Sequence, residues 1–331
     1  MTYYLDNDIY SNNTKFDSTR AGFGRGLKKA ADEDERIIGL CADLADSLKM
    51  TEFINAYPDR YIEVGIAEQN LVTVASGLAL AGKIPFAASY AAFSPGRNWE
   101  QIKTTAALND MPVKIVGGHS GSTVGPDGAT HQMFEDIALM RVMPNMVVVS
   151  PGDAIEAQKA TIAIAKNNKP SYLRLAREST PVFSTDKSPF EIGKAYVLKD
   201  GRDVTIFSTG IETAFALKSA KTLAEKGIDA EVVHVPTIKP LDIETIINSV
   251  KKTGRAVTCE DAQAAAGFGG VIAETLCDYM PAPMLRIGVE DRYGESGEPM
   301  EVHQKLGLAD DNITAKVIKF VNSRPQYRAG F

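Results

Sequence analysis

The chain alternates short apolar runs with longer segments of helical periodicity, and this alternation restricts its fold more than any other feature. Eight runs have the length and composition of strands: 37–41, 113–116, 146–149, 172–175, 204–207, 231–235, 256–259 and 285–289. Seven segments have helical patterns: 68–81, 99–108, 153–166, 213–226, 242–251, 267–278 and 314–321. Alternation of this kind predicts an α/β chain whose parallel sheets carry helices on both faces.

One region interrupts the alternation and marks a domain boundary. Residues 179–193 contain Pro181, Pro189 and several serines and threonines without a clear period. We therefore predict a first domain over residues 15–180 and a second over residues 190–331, with the first dozen residues forming an arm. The 331 residues are enough for two ordinary α/β/α domains with substantial cores.

Composition narrows the class of protein and its partners. The net charge of -6 argues weakly against nucleic acid or an acidic membrane as the main partner. No apolar stretch approaches ~18 residues, so we expect no membrane span. The first residues have neither a basic start nor an apolar run, so we expect no signal peptide and a cytoplasmic location. The three cysteines are far apart and lack metal-ligand spacing, which argues against a disulfide framework.

The segment of residues 59–70 holds the first candidate functional side chain. Glu68 lies between a strand-like run and a long helix rich in small and apolar residues, and it has no nearby basic residue on its own helix. An ionised carboxylate without a partner in such a place is unfavourable in free energy, which suggests that Glu68 has a functional role. A cap or an ion pair at the helix start is the plainer interpretation.

A second informative segment, residues 117–132, follows an apolar strand. It is rich in glycine and contains His119, His131 and Asp127. Ligands of open parallel sheets bind just beyond the carboxyl ends of strands, and glycine lets the backbone approach a ligand closely. Histidine binds phosphate or transfers protons near neutral pH. The alternative is a flexible loop with incidental polar residues.

Five segments occur in the order in which they occur in transketolases, the thiamine diphosphate enzymes that move two-carbon ketol units between sugar phosphates. They are Ala-Asp-Leu at 42–44, Glu-Val-Gly-Ile-Ala-Glu-Gln-Asn at 63–70, Ser-Tyr-Ala-Ala-Phe at 89–93, Gly-Pro-Asp-Gly-Ala-Thr-His-Gln at 125–132 and Leu-Arg-Leu-Ala-Arg-Glu at 173–178. The resemblance covers essentially the whole chain. It corresponds to the carboxyl-terminal half of a transketolase, which comprises a pyrimidine-binding domain and a terminal domain.

The resemblance implies a role for four residues at the cofactor. In the family a glutamate hydrogen-bonds the pyrimidine ring of thiamine diphosphate, and Glu68 is the matching residue. Phe93 matches the ring that stacks on the pyrimidine, and Tyr90 replaces a more usual phenylalanine of the same pocket. Asp43 matches an aspartate near the cofactor. Without the resemblance, the two rings would be interpreted as core aromatics. Arg97 is assigned a structural role.

The resemblance also implies a sugar-phosphate site. Positive and hydrogen-bonding side chains match positions that hold the substrate phosphate: Arg20, Ser47, His119 and Arg177. Arginine presents a planar fork that suits phosphate oxygens, although each arginine taken singly would be interpreted as a surface charge. Asp127 and His131 match residues near the reacting carbons, and His131 is the candidate for hydrogen bonding and proton transfer at the substrate carbonyl and hydroxyl. Arg20 is the weakest match, because the arm before it aligns poorly.

The sequence lacks the family motif that binds the diphosphate and its metal. That motif, Gly-Asp-Gly followed by an asparagine, belongs to the amino-terminal half of a transketolase, and the chain has no Gly-Asp-Gly. The resemblance therefore implies a separately encoded amino-terminal subunit that binds Mg²⁺ and the diphosphate. It also implies self-association into a dimer or a heterotetramer, because the family site lies at a dimer interface.

The second domain is expected to supply no catalytic group. Glycines 267, 269 and 270 precede a predicted helix, and we interpret them as packing residues rather than as an anion site. His234 and His303 are interpreted as structural. Glu260 and Asp261 follow a strand as a metal site would require, but no further ligands are evident in the sequence.

Three alternatives remain open at this point. The first is the beta subunit of a 2-oxo acid dehydrogenase decarboxylase component, which has a similar length and domain order. The second is the terminal half of a deoxyxylulose-phosphate synthase, which is normally one chain. The third is a regulatory or scaffolding remnant without activity. Transketolase is favoured over the 2-oxo acid dehydrogenase subunit because residues 126–132, His119 and Arg177 suit a sugar phosphate. It is favoured over a remnant because a remnant need not keep Glu68, Phe93, Asp127 and His131.

Overall fold

The computed structural model describes residues 3–323. Its strands are β1 Phe16–Ser18, β2 Ile37–Cys41, β3 Tyr61–Glu63, β4 Ile84–Tyr90, β5 Lys114–Gly118, β6 Val147–Val149, β7 Ser171–Arg174, β8 Ser179–Pro181, β9 Tyr196–Lys199, β10 Val204–Ser208, β11 Ala230–His234, β12 Thr237–Lys239, β13 Ala256–Gln263 and β14 Met284–Val289. Its α-helices are α1 Thr19–Glu33, α2 Thr51–Ala56, α3 Glu68–Leu80, α4 Trp99–Gln101, α5 Asp136–Arg141, α6 Ala154–Ala165, α7 Glu212–Glu225, α8 Ile243–Thr253, α9 Phe268–Tyr279, α10 Pro299–Lys305 and α11 Asp310–Asn322. A π-helical turn, Ile102–Ala107, continues α4, and 3₁₀ segments cover Asn7–Tyr10, Pro58–Arg60 and Ser122–Thr130.

The first sheet has seven strands in the order β12-β6-β7-β5-β4-β2-β3. All neighbours pair in parallel except β12, which is antiparallel to β6. Side chains of β2 alternate between the two faces: Ile38 and Leu40 pack with α3, whereas Ile37 and Cys41 pack with α1 and α6. Burial on both faces explains why this strand is a continuous apolar run in the sequence.

The second sheet has five strands in the order β14-β13-β10-β11-β9, and its edge strand β9 is antiparallel. Apolar residues of α7 and α11 cover one face, and those of α8 and α9 cover the other. The prediction of an α/β chain with two layered domains is therefore confirmed. The structure differs from the predicted parallel sheets in one respect, because each sheet has one antiparallel strand at an edge, β12 in the first and β9 in the second.

Most predicted elements are present, with ends that differ by a few residues. All eight predicted strands form. Asp153 caps α6, because its carboxylate accepts a hydrogen bond of 2.9 Å from the amide of Glu156. Cys41 and Cys259 are free and buried. The central strand β4 was not predicted from the sequence. Within residues 3–323, none of the helices has both the length and the apolar character needed to cross a bilayer.

One strand of the second half of the chain belongs to the first sheet. Strand β12 pairs with β6 through Thr237 opposite Val149 and Lys239 opposite Val148. The ammonium group of Lys239 also donates hydrogen bonds to the carbonyls of Arg141 and Met143, at 3.0 and 2.5 Å. The two halves of the chain are thus joined by backbone pairing as well as by side-chain packing.

Candidate active site

The carboxyl ends of the parallel strands of the first sheet carry most of the predicted site residues. Tyr90 is the last residue of β4, and the residues that follow β2, β3, β4, β5 and β7 at this edge are Asp43, Glu68, Phe93, His119 and Arg177. Parallel strands end at the same edge, so residues far apart in sequence meet there. The order of the strands in the sheet thus forms the site by bringing distant segments together, and no single local segment contains it.

Glu68 begins α3 and is 1% exposed. Its carboxylate oxygen Oε2 lies 2.6 Å from Nη1 of Arg97, and its backbone carbonyl accepts a hydrogen bond of 2.7 Å from the side-chain amide of Asn98. The side chains of Glu68 and Arg97 line an open cavity of about 490 Å³ together with Ile66 and Gln101. Glu68 therefore lies below an accessible surface, with its carboxylate held by a single arginine among the described side chains.

The contact of Arg97 with Glu68 was not predicted from the sequence. Arg97 is 29 residues from Glu68 along the chain, and its guanidinium carbon lies 4.9 Å from the centre of the Phe93 ring. A guanidinium over an aromatic face is attracted by the ring quadrupole, which fixes Arg97 between Phe93 and Glu68. The structural role assigned to Arg97 from its sequence is incomplete, because its charge faces the buried carboxylate.

Four rings form a continuous row along the site. The centres of Tyr90 and His119 are 3.7 Å apart, those of Tyr90 and Phe93 are 6.1 Å apart, and both pairs are stacked. The ring of His131 meets Phe93 edge-on at 5.4 Å. The structure thus brings together the two predicted cofactor rings and both histidines of residues 117–132.

The predicted phosphate residues also meet, on the side of His119. Nε of Arg20 donates a hydrogen bond of 3.0 Å to the carbonyl of Arg177, and its other guanidinium nitrogens donate to the carbonyls of Arg177 and Ser47. The guanidinium of Arg177 donates to the carbonyl of Val124. Burial lowers the pKa of Arg20 from its ordinary value, and the charge of Arg177 acts in the same direction. The guanidinium groups of Arg20 and Arg177 are therefore each anchored by backbone carbonyl oxygens.

His119 is enclosed next to these arginines. It is 2% exposed, and its Nδ1 has no hydrogen-bond partner among the described residues. Burial lowers the pKa of His119 to about 2, and the charges of Arg20 and Arg177 contribute to the shift. The imidazole is therefore neutral at physiological pH. A neutral ring with one free nitrogen can exchange a hydrogen bond with a ligand, but it does not act as a cation.

Two predicted residues lie outside the contacts just described. Asp43 is exposed, and its backbone amide donates a hydrogen bond of 2.8 Å to the carboxylate of Glu63. Asp127 is exposed on the 3₁₀ segment, while Nδ1 of His131 lies 2.9 Å from the hydroxyl of Thr130. Among the described contacts, neither aspartate side chain touches the row of rings, although the carbonyl of Asp127 accepts a hydrogen bond of 3.5 Å from Thr130. Their assignment to the site remains a prediction.

Comparison with known families covers nearly the whole chain. Residues 17–182 match the model of the transketolase pyrimidine-binding domain. Residues 193–313 match the model of the transketolase C-terminal domain. The two matches follow each other without overlap, so both sheets of the structure are included.

Relatives of similar length exist among known proteins. The chain is 39% identical over 302 residues to the 6-deoxy-6-sulfo-D-fructose transketolase subunit of Clostridium sp. (strain MSTE9), covering 91% of this chain and 94% of that subunit. It is 35% identical over 303 residues to one subunit of the apulose-4-phosphate transketolase of Phocaeicola vulgatus, covering 91% and 97%. A solved structure described as a split-gene transketolase, an inactive beta4 tetramer, is 41% identical with a TM-score of 0.86, covering 92% of this chain and 98% of that one.

Proposed function

The chain belongs to the transketolase family of thiamine diphosphate-dependent enzymes, and we propose that it is the carboxyl-terminal subunit of a split transketolase. In this proposal it transfers two-carbon ketol units between sugar phosphates, and a separate amino-terminal subunit completes the active site. The observation that carries the proposal is the placement of Glu68, which is buried at 1% exposure yet lines an open cavity. A carboxylate in that position suits a ring nitrogen that enters from outside.

The residues present fit the aminopyrimidine end of thiamine diphosphate. Glu68 offers a carboxylate oxygen to a ring nitrogen, and Phe93 with Tyr90 offers an aromatic wall beside it. The bound cofactor supplies a carbon nucleophile that breaks the carbon–carbon bond of the donor sugar. Glu68 holds or shares a proton at the ring nitrogen, and Arg97, which contacts Oε2, lies at the same carboxylate.

The arginine pair and His119 support a phosphorylated sugar as the substrate. Arg20 and Arg177 place two cationic groups beside a neutral, partly unsatisfied imidazole, an arrangement that suits the oxygens of a phosphate or of a nearby hydroxyl. The carbonyl oxygen of Ser47 accepts a hydrogen bond from the guanidinium of Arg20. We assign the phosphate end of the substrate to Arg20, Ser47, His119 and Arg177.

The reacting end of the substrate is assigned to the row of rings. His131 contacts Phe93 edge-on, and its imidazole is half-buried, so it can exchange a proton with a substrate carbonyl or hydroxyl. Asp127 precedes it by four residues in the chain and is proposed to bind a donor hydroxyl. Asp43 is proposed to lie near the cofactor. The domain limits of 15–180 and 190–331 stay part of this proposal.

A partner subunit is supported by relatives of similar length that are named as subunits. The chain has no Gly-Asp-Gly motif for the diphosphate and Mg²⁺. Two relatives are named as subunits, and a similar solved structure is described as a split-gene transketolase in an inactive beta4 tetramer. We propose a heterotetramer of two copies of each subunit, with Mg²⁺ bound mainly by the partner.

The test is reconstitution with a matching amino-terminal subunit. We expect the isolated chain to bind thiamine diphosphate weakly and to show no ketol transfer, and we expect the mixture to convert xylulose 5-phosphate plus ribose 5-phosphate when thiamine diphosphate and Mg²⁺ are present. Pyruvate is the comparison substrate. Full activity of the isolated chain would refute the split site, and turnover of pyruvate alone would favour a 2-oxo acid dehydrogenase component.

A further inference from the structure

Three buried side chains of the second domain converge at its contact with the first. Glu212 is the first residue of α7, Asp261 lies on β13, and His303 lies on α10. Their exposures are 0%, 2% and 0%, and one donor atom from each lies within 4.8 Å of the others. The sequence placed Asp261 after a strand without evident co-ligands, because Glu212 and His303 are 49 and 42 residues away.

Several donor atoms of this cluster have no hydrogen-bond partner. Within residues 3–323, neither carboxylate oxygen of Glu212 is hydrogen-bonded, and neither is Nε2 of His303. Oε1 of Glu212 lies 3.4 Å from that Nε2, without hydrogen-bond geometry. Buried polar atoms are nearly always satisfied, so three unsatisfied atoms facing one point call for a ligand or a proton.

Ser122 orients the cluster from the first domain. Its hydroxyl lies 2.8 Å from Nδ1 of His303, which leaves Nε2 directed at Glu212. Its backbone amide donates to both carboxylate oxygens of Asp261, at 3.0 Å. A Cβ atom at Gly121, which has a φ of +74°, would lie 2.0 Å from Oδ2 of Asp261. Metal-bound histidines are typically fixed in this way, through the ring nitrogen that does not touch the metal.

The nearby charges do not neutralise the two carboxylates. The guanidinium of Arg174 pairs with Asp136 at 2.8 Å and donates to the backbone carbonyl of Asp261 at 2.7 Å. The carboxylate of Glu260 accepts hydrogen bonds from two amides at the start of α9. Arg174 attracts the carboxylates of Asp261 and Glu212, but its charge is already matched by Asp136.

The titration behaviour agrees with a missing counter-charge. Burial raises the pKa of Glu212 well above its ordinary value, and repulsion from Asp261 adds to the shift. Burial also raises the pKa of Asp261 to about 6 and lowers that of His303 to about 4. Two enclosed carboxylates in one cluster repel each other, and a cation between them would relieve that repulsion.

We propose that Glu212, Asp261 and His303 bind one divalent transition-metal ion, with Zn²⁺ as the best match. Both oxygens of Glu212, one oxygen of Asp261 and Nε2 of His303 supply four nitrogen and oxygen donors, a set that zinc accepts. A single proton on Glu212 would satisfy at most one carboxylate oxygen and Nε2. One divalent cation satisfies all three unpaired atoms and balances both carboxylates.

The metal would fix the start of the 3₁₀ segment Ser122–Thr130 against the second domain. Ser122 binds two of the three ligands, so the ion would hold the segment that leads to Asp127 and His131. The ion is structural in this proposal and takes no part in the reaction. The inference therefore does not depend on the proposed function, and its test needs no partner subunit or substrate.

The test measures metal in the full chain, purified without chelators. We expect about one zinc ion per chain by elemental analysis, and at least about tenfold less in Glu212→Gln and His303→Gln. Glu225→Gln, at the exposed far end of α7, is the matched control and should keep the metal. If a site variant does not fold, wild-type protein stripped with a chelator provides the second measurement, because added Zn²⁺ should raise its melting temperature.

Two results would overturn the proposal. One is a chain that contains no stoichiometric metal and whose melting temperature does not respond to Zn²⁺ after chelation. The other is an infrared band of a buried carboxylic acid in the wild-type chain that disappears in Glu212→Gln, which would show that a proton neutralises the cluster instead. Zinc that binds equally well to wild type, Glu212→Gln and His303→Gln would place the ion elsewhere and would equally contradict the assignment.

Discussion

Nη1 of Arg97 lies 2.6 Å from Oε2 of Glu68, and the two side chains differ sharply in exposure, at 49% and 1%. The carboxylate is fixed at the base of the cavity, whereas the arginine reaches it from the surface across the ring of Phe93. The partner that holds Glu68 is therefore the more exposed member of the pair. An incoming ring can displace the arginine without disturbing the core around Glu68.

The first prediction concerns Glu68 in the reconstituted enzyme. Glu68→Gln removes the charge but keeps the shape, so we expect ketol transfer to fall by a factor of about 10³ while the melting temperature stays close to that of wild type. Steady-state rates and a melting curve measure the two effects. Glu52→Gln, on the exposed side of α2, is the control. A rate near that of wild type would remove Glu68 from the mechanism.

The second prediction concerns the ion pair itself and needs no partner. Arg97→Gln leaves the buried carboxylate of Glu68 without its cation, so we expect a loss of about 1 kcal/mol in the free energy of unfolding. In a Glu68→Gln background the same change should cost less, because no charge is left unpaired. Urea denaturation of the four proteins measures the coupling. Equal costs in both backgrounds would mean that the pair does not form in solution.

The third prediction separates phosphate binding from chemistry. Arg177→Ala should raise KM for phosphorylated sugars by about tenfold and change kcat little, because a remote contact contributes mainly to binding. The measurement compares phosphorylated and unphosphorylated donors in the reconstituted enzyme. Arg202→Ala, whose side chain is 84% exposed in the second domain, is the control. Equal effects on both donors would contradict a phosphate contact.

The fourth prediction is a pH dependence of folding. The pKa of His119 is lowered to about 2 in the folded chain, whereas an unfolded histidine titrates near its ordinary value of about 6.5. Between these values the unfolded state binds the extra proton, so stability is lost as the pH falls below about 6.5, by roughly 1 kcal/mol per pH unit from this residue. His119→Gln should lose that contribution.

Urea denaturation between about pH 7 and about pH 5 measures the difference between wild type and His119→Gln. We expect the stability of the variant relative to wild type to increase toward the acidic end. Two curves with the same slope would indicate that His119 is protonated in the folded chain, and the neutral imidazole of the proposed phosphate site would then be wrong.

Much of the fold could be predicted because most strands and helices have local signals. Strand β2 is a pure apolar run, and α6 begins after a capping aspartate, Asp153. Strand β4 was missed because Pro85 and three small residues, 87–89, give it little β propensity, although it lies between β2 and β5 in the sheet. Strand β4 is buried because it lies between two other strands, and the local sequence does not show which strands are its neighbours.

The candidate site was predictable in part. Glu68 and His119 were singled out from their local sequence, Phe93 was assigned only through the resemblance, and the roles of all three stay predictions. The contact of Arg97 with Glu68 carries no sequence signal, because it depends on how the segment after β4 returns over α3. The same holds for Glu212 and His303, which join Asp261 only when α7, β13 and α10 are packed together.

Strand β12 limits how this protein can be divided. A fragment that stops near residue 190 would lack Thr237–Lys239, and the outer backbone groups of β6 would lose their covering strand. Bare strand edges recruit other chains, so such a fragment should aggregate rather than behave as an autonomous module. The border between the two modules is therefore a poor place to truncate the gene, and the two halves have to be expressed and folded together.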